Sequence, residues 1–365
     1  MGTPTSIRCV AVDERSNPRY PEPHSRKDHM TVAATYLTAI LMAAAACSTS
    51  AAAAATWDSP LARIQTDSSN AESPTDGLNV LIADRGNNRL LIVGPDKRTL
   101  WEYDFPNLPH SAGADDAFFA DRGKSIIVNL EHWQIVELID VATKAVTWTY
   151  GIGGRPGAAP GLLDYPDDAY QLPDGNVVVA DIRNCRVLEI GPDKRIIRQY
   201  GKTGRCWGPG TLASPNGDKP LANGHLLIST ISDHALTELD ASWSPVFRLS
   251  LPLRYPSDPQ MTADGLFLIA DYVRPGRIIE IDRQGKVIWD YSARAGDAAL
   301  NRPSLAVELP DGNVIADDDL NHRVVVIDKA TKKIIWQYGV TGRSGSEIGY
   351  LSIPDGLDLQ KGSQS

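Results

Sequence analysis

The feature that most constrains this chain is a sequence unit that recurs six times. The segment VLIADRGNNRLLIVGPDKRTLWEYD, which begins at Val80, returns as VVVADIRNCRVLEIGPDKRIIRQYG from Val177. The copies share one anchor position, which is occupied in chain order by Asp84, Asn129, Asp181, Thr230, Asp271 and Asp318. These anchors are 45, 52, 49, 41 and 47 residues apart. A period of this size is typical of solenoids and propellers, in which each repeat buries its apolar face against its neighbours.

Each copy contains short runs of apolar, mostly β-branched residues with turn residues between them. The turn dipeptides include Asp174-Gly175, Asp264-Gly265 and Asp311-Gly312. This pattern predicts short antiparallel strands joined by tight turns. Four strands per unit and six units predict an all-β, six-bladed β-propeller. In the last strand one position is filled by Trp101, Trp148, Arg198, Phe247, Trp289 and Trp336, and we expect its tryptophans to cover the joint between neighbouring sheets.

The two ends of the repeat region predict how the ring closes. Residues 351–360, LSIPDGLDLQ, repeat the opening strand of a blade, but no blade follows them. The first blade begins at Gly77 without that strand. We therefore expect the C-terminal strand to join blade 1, which removes a sheet edge that would otherwise invite aggregation.

The segments that link the units carry a family resemblance. Residues 151–166, 201–215 and 339–354, together with the A-D-x-x-N-x-R element at 180–186, resemble NHL repeats. Strand endings such as KATKKIIWQYG also resemble the repeats of quinoprotein propellers. The resemblance covers 77–359 and implies a six-bladed propeller. Because quinoproteins close eight blades around their quinone, we expect no quinone cofactor here. This fold hosts binding scaffolds, lactonases, lyases and sulfotransferases, so it does not define a function.

The N-terminal region predicts export. No residue from Thr31 to Trp57 is charged, Arg26 and Lys27 come just before, and A-x-A sites follow the apolar core. We divide the chain into an extension (1–29), a signal peptide or lipoprotein signal (30–56), a linker (57–76), the propeller (77–359) and a tail (360–365). Cleavage after Ala46 would expose Cys47 for lipidation, and the alternative is an uncleaved, Ala-rich helix. The expected location is periplasmic, at the cell surface as a lipoprotein, or secreted.

Charge and cysteine content limit the partners. The net charge is −9, from 36 Lys+Arg and 45 Asp+Glu, so no basic field is available for nucleic acid. We expect a monomer with no membrane contact beyond a signal or lipid anchor. Cys185 and Cys206 belong to the same unit, and in an exported protein we expect them to form a disulfide that contributes about 3 kcal/mol.

One face of the propeller is the predicted ligand side. With strands A to D in each blade, the B–C turns and the D–A loops share a face, and loops on a rigid scaffold carry function. An Asp and an Arg recur together in these turns and are lost together at Asn129/Gln134 and Thr230/Ala235. We interpret them as structural ion pairs that lock the turn: Asp84/Arg89, Asp181/Arg186, Asp271/Arg277 and Asp318/Arg323.

Two of the turns break this rule and place histidines on the same face. His132 and His234 are candidate catalytic bases or ligands, against the alternative of solvated turn histidines. Arg155, Arg205 and Arg343 share one loop position, G-x-x-G-R, which favours a structural role or an anion site at the channel mouth.

A second constellation is a ring of small polar residues after the repeat proline of each inner strand. Its members are Asp115, Asp167, Asn216, Ser257, Ser304 and Asp355, with Asp116, Asp168 and Asp258 directly behind three of them. Oxygen ligands that converge from different blades suit Ca²⁺ or another divalent cation. The candidate ligands are Asp115, Asp167, Asn216, Asp258 and Asp355. The alternative is that these side chains cap the strand ends and stay hydrated.

These residues leave three functions open. The first is an exported propeller that binds a small molecule, a glycan or a protein on the loop face. The second is a metal-dependent hydrolase or lyase, since six-bladed gluconolactonase-like enzymes hold a metal in a comparable place, with His132 or His234 as base. The third resembles the sulfotransferase propellers, with a histidine and the three loop arginines acting on a sulfuryl group. The sequence contains no G-x-S-x-G, H-E-x-x-H, P-loop or EF-hand motif.

Overall fold

A computed structural model describes residues 75–109 and 112–361. The predicted extension, signal segment and Cys47, together with most of the linker, lie outside these residues. The described residues form 24 strands in six four-stranded antiparallel sheets. The protein is thus an all-β, six-bladed propeller with four strands per blade, as the repeats predict.

The first three blades are formed as follows. Blade 1 contains β24 (Pro354–Lys361), β1 (Leu78–Asp84), β2 (Arg89–Val93) and β3 (Thr99–Asp104). Blade 2 contains β4 (Ala117–Ala120), β5 (Ser125–Leu130), β6 (Ile135–Asp140) and β7 (Val146–Gly151). Blade 3 contains β8 (Pro166–Gln171), β9 (Val177–Asp181), β10 (Arg186–Ile190) and β11 (Ile196–Gly201).

The other three blades repeat this order. Blade 4 contains β12 (Pro215–Pro220), β13 (Leu226–Thr230), β14 (Ala235–Leu239) and β15 (Pro245–Ser250). Blade 5 contains β16 (Pro256–Met261), β17 (Phe267–Asp271), β18 (Arg277–Ile281) and β19 (Val287–Tyr291). Blade 6 contains β20 (Ala306–Glu308), β21 (Val314–Asp318), β22 (Arg323–Asp328) and β23 (Lys333–Gly339). Short 3₁₀ turns occupy Arg85–Asn87, Asp121–Gly123, Glu131–Trp133, Ile182–Asn184 and Asp319–Asn321. Within the residues described, no helix is long and apolar enough to span a bilayer.

The C-terminal strand closes the ring. β24 pairs antiparallel with β1, with Ile82 opposite Leu357 and Val80 opposite Leu359. Leu351 and Leu357 are fully buried in a cluster that also contains residues of blades 1 and 6. The predicted closure is confirmed, and β24 continues to Lys361, two residues into the predicted tail.

The outer-strand position holds neighbouring blades together. Trp101 donates its indole N–H to the Val141 carbonyl of blade 2 at 2.9 Å, and Trp289 donates to the Lys329 carbonyl of blade 6 at 2.9 Å. Arg198, which replaces tryptophan in blade 3, donates to the Ala241 carbonyl of blade 4 at 2.8 Å. One position therefore ties each of these sheets to the next, whichever donor occupies it.

The turn ion pairs form in three blades. In Asp84/Arg89, Asp181/Arg186 and Asp318/Arg323 the arginine Nε donates to the aspartate Oδ2 at 2.7 Å. In blade 5 the expected pair does not form, because Arg277 bonds instead to Asp290. Asp271 accepts the backbone N–H groups of Arg254 and Tyr255. The reason lies in the turn length, since Arg277 comes six positions after Asp271, whereas the other arginines come five positions after their aspartates.

The anchor of blade 2 also needs correction. Its 3₁₀ turn begins at Glu131 and has Leu130 as its N-cap, as Asp84, Asp181 and Asp318 cap theirs. The repeat position in blade 2 is therefore Leu130 rather than Asn129, and Ile135 rather than Gln134 stands in place of the arginine. Because Asn129 resembles the repeat Asp, the sequence alignment of this unit was wrong by one residue.

Candidate functional site

The inner strands of neighbouring blades contact each other and surround the central channel. At the end where the B–C turns lie, the first residue after each anchor forms a ring of six turn residues. Arg85, Glu131, Tyr272 and Asp319 are buried members of it. In order of blades the ring is Arg85, Glu131, Ile182, Ile231, Tyr272 and Asp319. It is charged in blades 6, 1 and 2 and carries apolar or aromatic side chains in blades 3, 4 and 5.

Arg85 is the centre of the charged half. Its Nη1 forms ion pairs with Asp115, at 2.5 Å, and with Asp355, and its Nη2 lies 3.3 Å from Glu131 Oε2. Burial opposes the charge on this guanidinium, but Asp115, Asp355 and Glu131 outweigh it and raise the pKa of Arg85 well above its ordinary value. Arg85 is therefore a permanent buried cation that joins three blade elements distant in sequence.

Two rings lie beside this cation. The imidazole nitrogens of His132 are 3.3 and 3.4 Å from Arg85 Nη2, and its Nε2 is 3.8 Å from Glu131 Oε2. The His132 ring meets the edge of Tyr165 at 5.5 Å between centroids. The guanidinium of Arg183 lies 3.3 Å over the Tyr165 ring. The side chain of His132 is 21% exposed, so a molecule at the mouth can reach it while Arg85 and Glu131 stay buried.

Buried carboxylates occupy the inner strands below this mouth. Two groups each bring one oxygen per residue within 4.8 Å of the others: Asp115, Asp116 and Asp167, and Asp116, Asp168 and Asp258. None of these five side chains belongs to a residue more than 1% exposed. Asp116 belongs to both groups.

The predicted metal ligands are thus divided. Asp115, Asp167 and Asp258 lie in these carboxylate groups, whereas Asp355 does not. The Asn216 amide donates to Ser257 Oγ at 3.0 Å and accepts from Ser229 Oγ at 3.1 Å. Asp355 pairs with Arg85, as described above. Asp116 and Asp168, which the sequence places behind the ring, are the residues that complete the groups.

The electrostatics of the channel favour the neutral form of several acids. Burial, followed by the charges of Asp258 and Asp168, raises the pKa of Asp116 well above its ordinary value. In blade 6, burial raises the pKa of Asp317 to about 8, although its carboxylate accepts hydrogen bonds from Ser304 and from the Leu305 N–H. A bound cation would allow such acids to ionise, because an opposite charge stabilises the carboxylate form.

A lysine lies on the same inner face. Burial lowers the pKa of Lys219, whose ammonium is 4.6 Å from the Tyr170 ring centroid and 5.7 Å from that of Phe118. These rings come from blades 3 and 2, so the lysine of blade 4 reaches across the channel.

Other predicted site residues lie away from this cluster. His234 is exposed at a left-handed turn position, with φ 51°, which matches the position of His322 in blade 6. The loop arginines are exposed, and each donates its backbone N–H within a turn of its own loop: Arg155, Arg205 and Arg343. The two cysteines form the predicted disulfide, Cys185–Cys206, with Cα atoms 5.1 Å apart.

Sequence reasoning missed Arg85, Glu131 and Tyr165. Arg85 follows the repeat anchor, where the other copies have unrelated residues, so no repeat pattern marks it. The available signal was that variability itself: a charged residue at a variable position of a turn that faces the channel is a ligand-side candidate.

The comparisons agree with the propeller fold. Residues 193–353, under half of the chain, match a family model described as outer membrane protein assembly factor BamB. No curated protein matches the sequence. A Bacteroides caccae protein of unknown function has a similar structure, with TM-score 0.58, 15% identity, and coverage of 78% of this chain and 98% of its own.

Two further solved structures are similar at the level of the fold. A chain of the nidogen/laminin complex has TM-score 0.55 and 14% identity over 78% of this chain and 98% of its own. Virginiamycin B lyase from Staphylococcus aureus has TM-score 0.49 and 14% identity over 72% and 84%. The fold and the site together define a six-bladed β-propeller with buried carboxylates at one mouth of its channel.

Proposed function

We propose that this protein is an exported binding propeller that takes a small, hydroxyl-rich molecule such as a sugar into the mouth of its channel. The observation that carries the proposal is the meeting of Arg85, Glu131, His132 and Tyr165 at one place, from turns of different blades. His132 and Tyr165 are the partly exposed rings that a ligand can contact, and the buried Arg85 and Glu131 lie against His132. Hydroxyl groups both donate and accept, and the C–H faces of a sugar pack on aromatic rings.

The charge of the mouth argues for a neutral or cationic ligand. Three carboxylates surround the single guanidinium of Arg85. An anionic ligand would be repelled by this excess. The sulfotransferase alternative needs a cluster of arginines at the mouth, and its three loop arginines are exposed in separate loops.

Export is supported by the disulfide and by the family match. Disulfides persist in oxidising compartments outside the cytosol, and Cys185–Cys206 forms here. The family model that matches residues 193–353 is named for an outer membrane assembly factor. The signal segment predicted at 30–56 also supports export.

The experiment compares two turn histidines. A panel of monosaccharides, oligosaccharides and polyols is screened by thermal shift, and any compound that raises the unfolding temperature is titrated by calorimetry. We expect binding to be lost in His132→Ala and retained in His234→Ala, which removes an exposed histidine of an equivalent loop. If no compound binds, or if both variants bind equally, the proposal fails.

A second candidate, a metal-dependent hydrolase or lyase, is favoured by the position of His132 beside Glu131. The predicted alternative base, His234, is exposed on its turn. Sugar lactones in a pH-stat assay with added Ca²⁺ test it. Turnover that disappears in His132→Ala supports an enzyme, and binding without turnover supports the binding propeller.

A further inference from the structure

We propose that Asp116, Asp168 and Asp258 form a site for a hard divalent cation, Ca²⁺ or Mg²⁺, in the central channel. This set differs from the ring expected from the sequence, since it lies one residue further along each inner strand. It brings carboxylates from blades 2, 3 and 5 together.

The distances suit an ion. One oxygen of each residue lies within 4.8 Å of the others. Oxygens on opposite sides of a Ca²⁺ ion with bonds of about 2.3–2.6 Å are separated by up to about 5 Å. All potential ligand atoms in the group are carboxylate oxygens, and such ligands select hard cations over Zn²⁺ or Cu²⁺.

Asp116 gives the independent indication of a ligand. It is 1% exposed, and its Oδ1 has no hydrogen-bond partner among residues 75–109 and 112–361. A buried oxygen without a partner destabilises the protein by about 1–3 kcal/mol, and more when it is charged. An ion in the group would satisfy this oxygen.

Two glycines make room for the carboxylates. At the same inner-strand position, blade 4 has Gly217 and blade 1 has Gly356. A Cβ at Gly356 would lie 2.6 Å from Asp116 Oδ1, and one at Gly217 would lie 2.3 Å from Pro259 Cδ and 3.1 Å from Asp258 Cα. Larger residues in blades 1 and 4 would push Asp116 and Asp258 away from the group.

The protein's own nearby cations compensate these carboxylates only in part. The Arg85 guanidinium forms ion pairs with Asp115 and Asp355 in the layer above. The Lys219 ammonium lies over the rings of Tyr170 and Phe118 and interacts electrostatically with Asp358, Asp168 and Asp218. One lysine does not balance the three carboxylates of the Asp116 group, and a cation from solution would complete the charge balance.

The test titrates the chelator-treated full chain with CaCl₂ or MgCl₂ alone, by calorimetry and by elemental analysis of the bound ion. We expect one ion per chain and a higher unfolding temperature when it is bound. Asp116→Asn should weaken binding at least about tenfold. Asp317→Asn, the same change at a buried carboxylate outside both groups, should bind the ion as the unchanged protein does.

A second readout separates an ion site from a merely structural role. Asp116→Asn should lose the rise in unfolding temperature that Ca²⁺ gives the unchanged protein, whereas Asp317→Asn should keep it. Asp258→Asn is the second variant, and it should behave in the same way.

Four outcomes overturn the proposal. They are no saturable binding of either ion, tighter binding of Zn²⁺, equal loss in Asp317→Asn, and loss in Asp167→Asn with binding retained in Asp258→Asn. The last outcome would place the ion among Asp115, Asp116 and Asp167 instead. Since no organic ligand is present, these results do not depend on binding at the mouth.

Discussion

Replacing Arg323, the arginine of a buried ion pair in a turn, should lower the free energy of unfolding far more than replacing Arg277, the equivalent arginine of blade 5. Arg323 is 1% exposed, and its guanidinium donates to Asp318 Oδ2 at 2.7 Å, to the Asp297 carbonyl at 2.7 Å and to Thr341 Oγ1 at 2.9 Å. Arg323→Met removes these bonds, together with one to Gln337 Oε1 at 3.3 Å, and leaves the Asp318 carboxylate buried.

The structure sets the two magnitudes. Removing one partner of a buried ion pair costs about 3–5 kcal/mol, because an uncompensated charge stays inside. Arg277 pairs with Asp290, but their side chains are 28% and 30% exposed, so water can replace the lost partner. An exposed pair contributes about 0–1 kcal/mol. Arg277→Met is therefore the matched control.

The assay is urea unfolding of the full chain, followed by circular dichroism. Adding Asp318→Asn to Arg323→Met should recover part of the loss, because the buried charge disappears with it. Equal losses of unfolding free energy in Arg323→Met and Arg277→Met would refute the reasoning, as would a double variant no more stable than Arg323→Met.

Three further predictions concern closure, the disulfide and pH. Deletion of residues 351–365 should cause cooperative unfolding, and a truncated chain that melts like the full chain by circular dichroism would contradict this. Replacing Cys185 and Cys206 by serine should lower the unfolding free energy by about 3 kcal/mol in urea titrations, against no change if the bridge is absent in solution. Burial raises the folded-state pKa of Asp317 to about 8 from 3.8. The stabilisation that comes from protonated Asp317 is therefore complete below about pH 4 and is lost as the pH rises through 8. In Asp317→Asn, the free energy of unfolding should decrease less between these two pH values, which urea titrations at several pH values would measure.

The repeats made most of the fold predictable from the sequence. The strand runs and the Asp-Gly turns are local patterns that recur from blade to blade, so a weak signal in one blade is supported by the others. The strand at 351–360, which no blade follows, is recognised because it repeats the opening strand of a blade. The failures are local too. The predicted Asp271/Arg277 ion pair does not form, because blade 5 has one extra turn residue before Arg277. The anchor of blade 2 was predicted at Asn129, which resembles the repeat Asp, but it lies at Leu130.

The candidate site was only half predictable. The inner-strand position placed Asp115, Asp167 and Asp355 at the mouth, because symmetry requires equivalent residues to meet around the axis. The side chains that pair with them are not repeated from blade to blade. Arg85 contacts Glu131, 46 residues away, and Asp355, 270 residues away. No periodic pattern in the sequence reports such a contact.

The pairing of β24 with β1 also has a consequence for the time course of folding. The residues that pair lie 270 to 283 positions apart in the chain. Contacts at such separation form late, since a long loop must close before they yield any free energy. A chain that emerges from its N-terminal end therefore holds β1 with an open edge until the last strand arrives. During that interval the open edge of β1 can pair with another chain, so the rate at which the last strand is synthesised affects how much of the protein folds correctly.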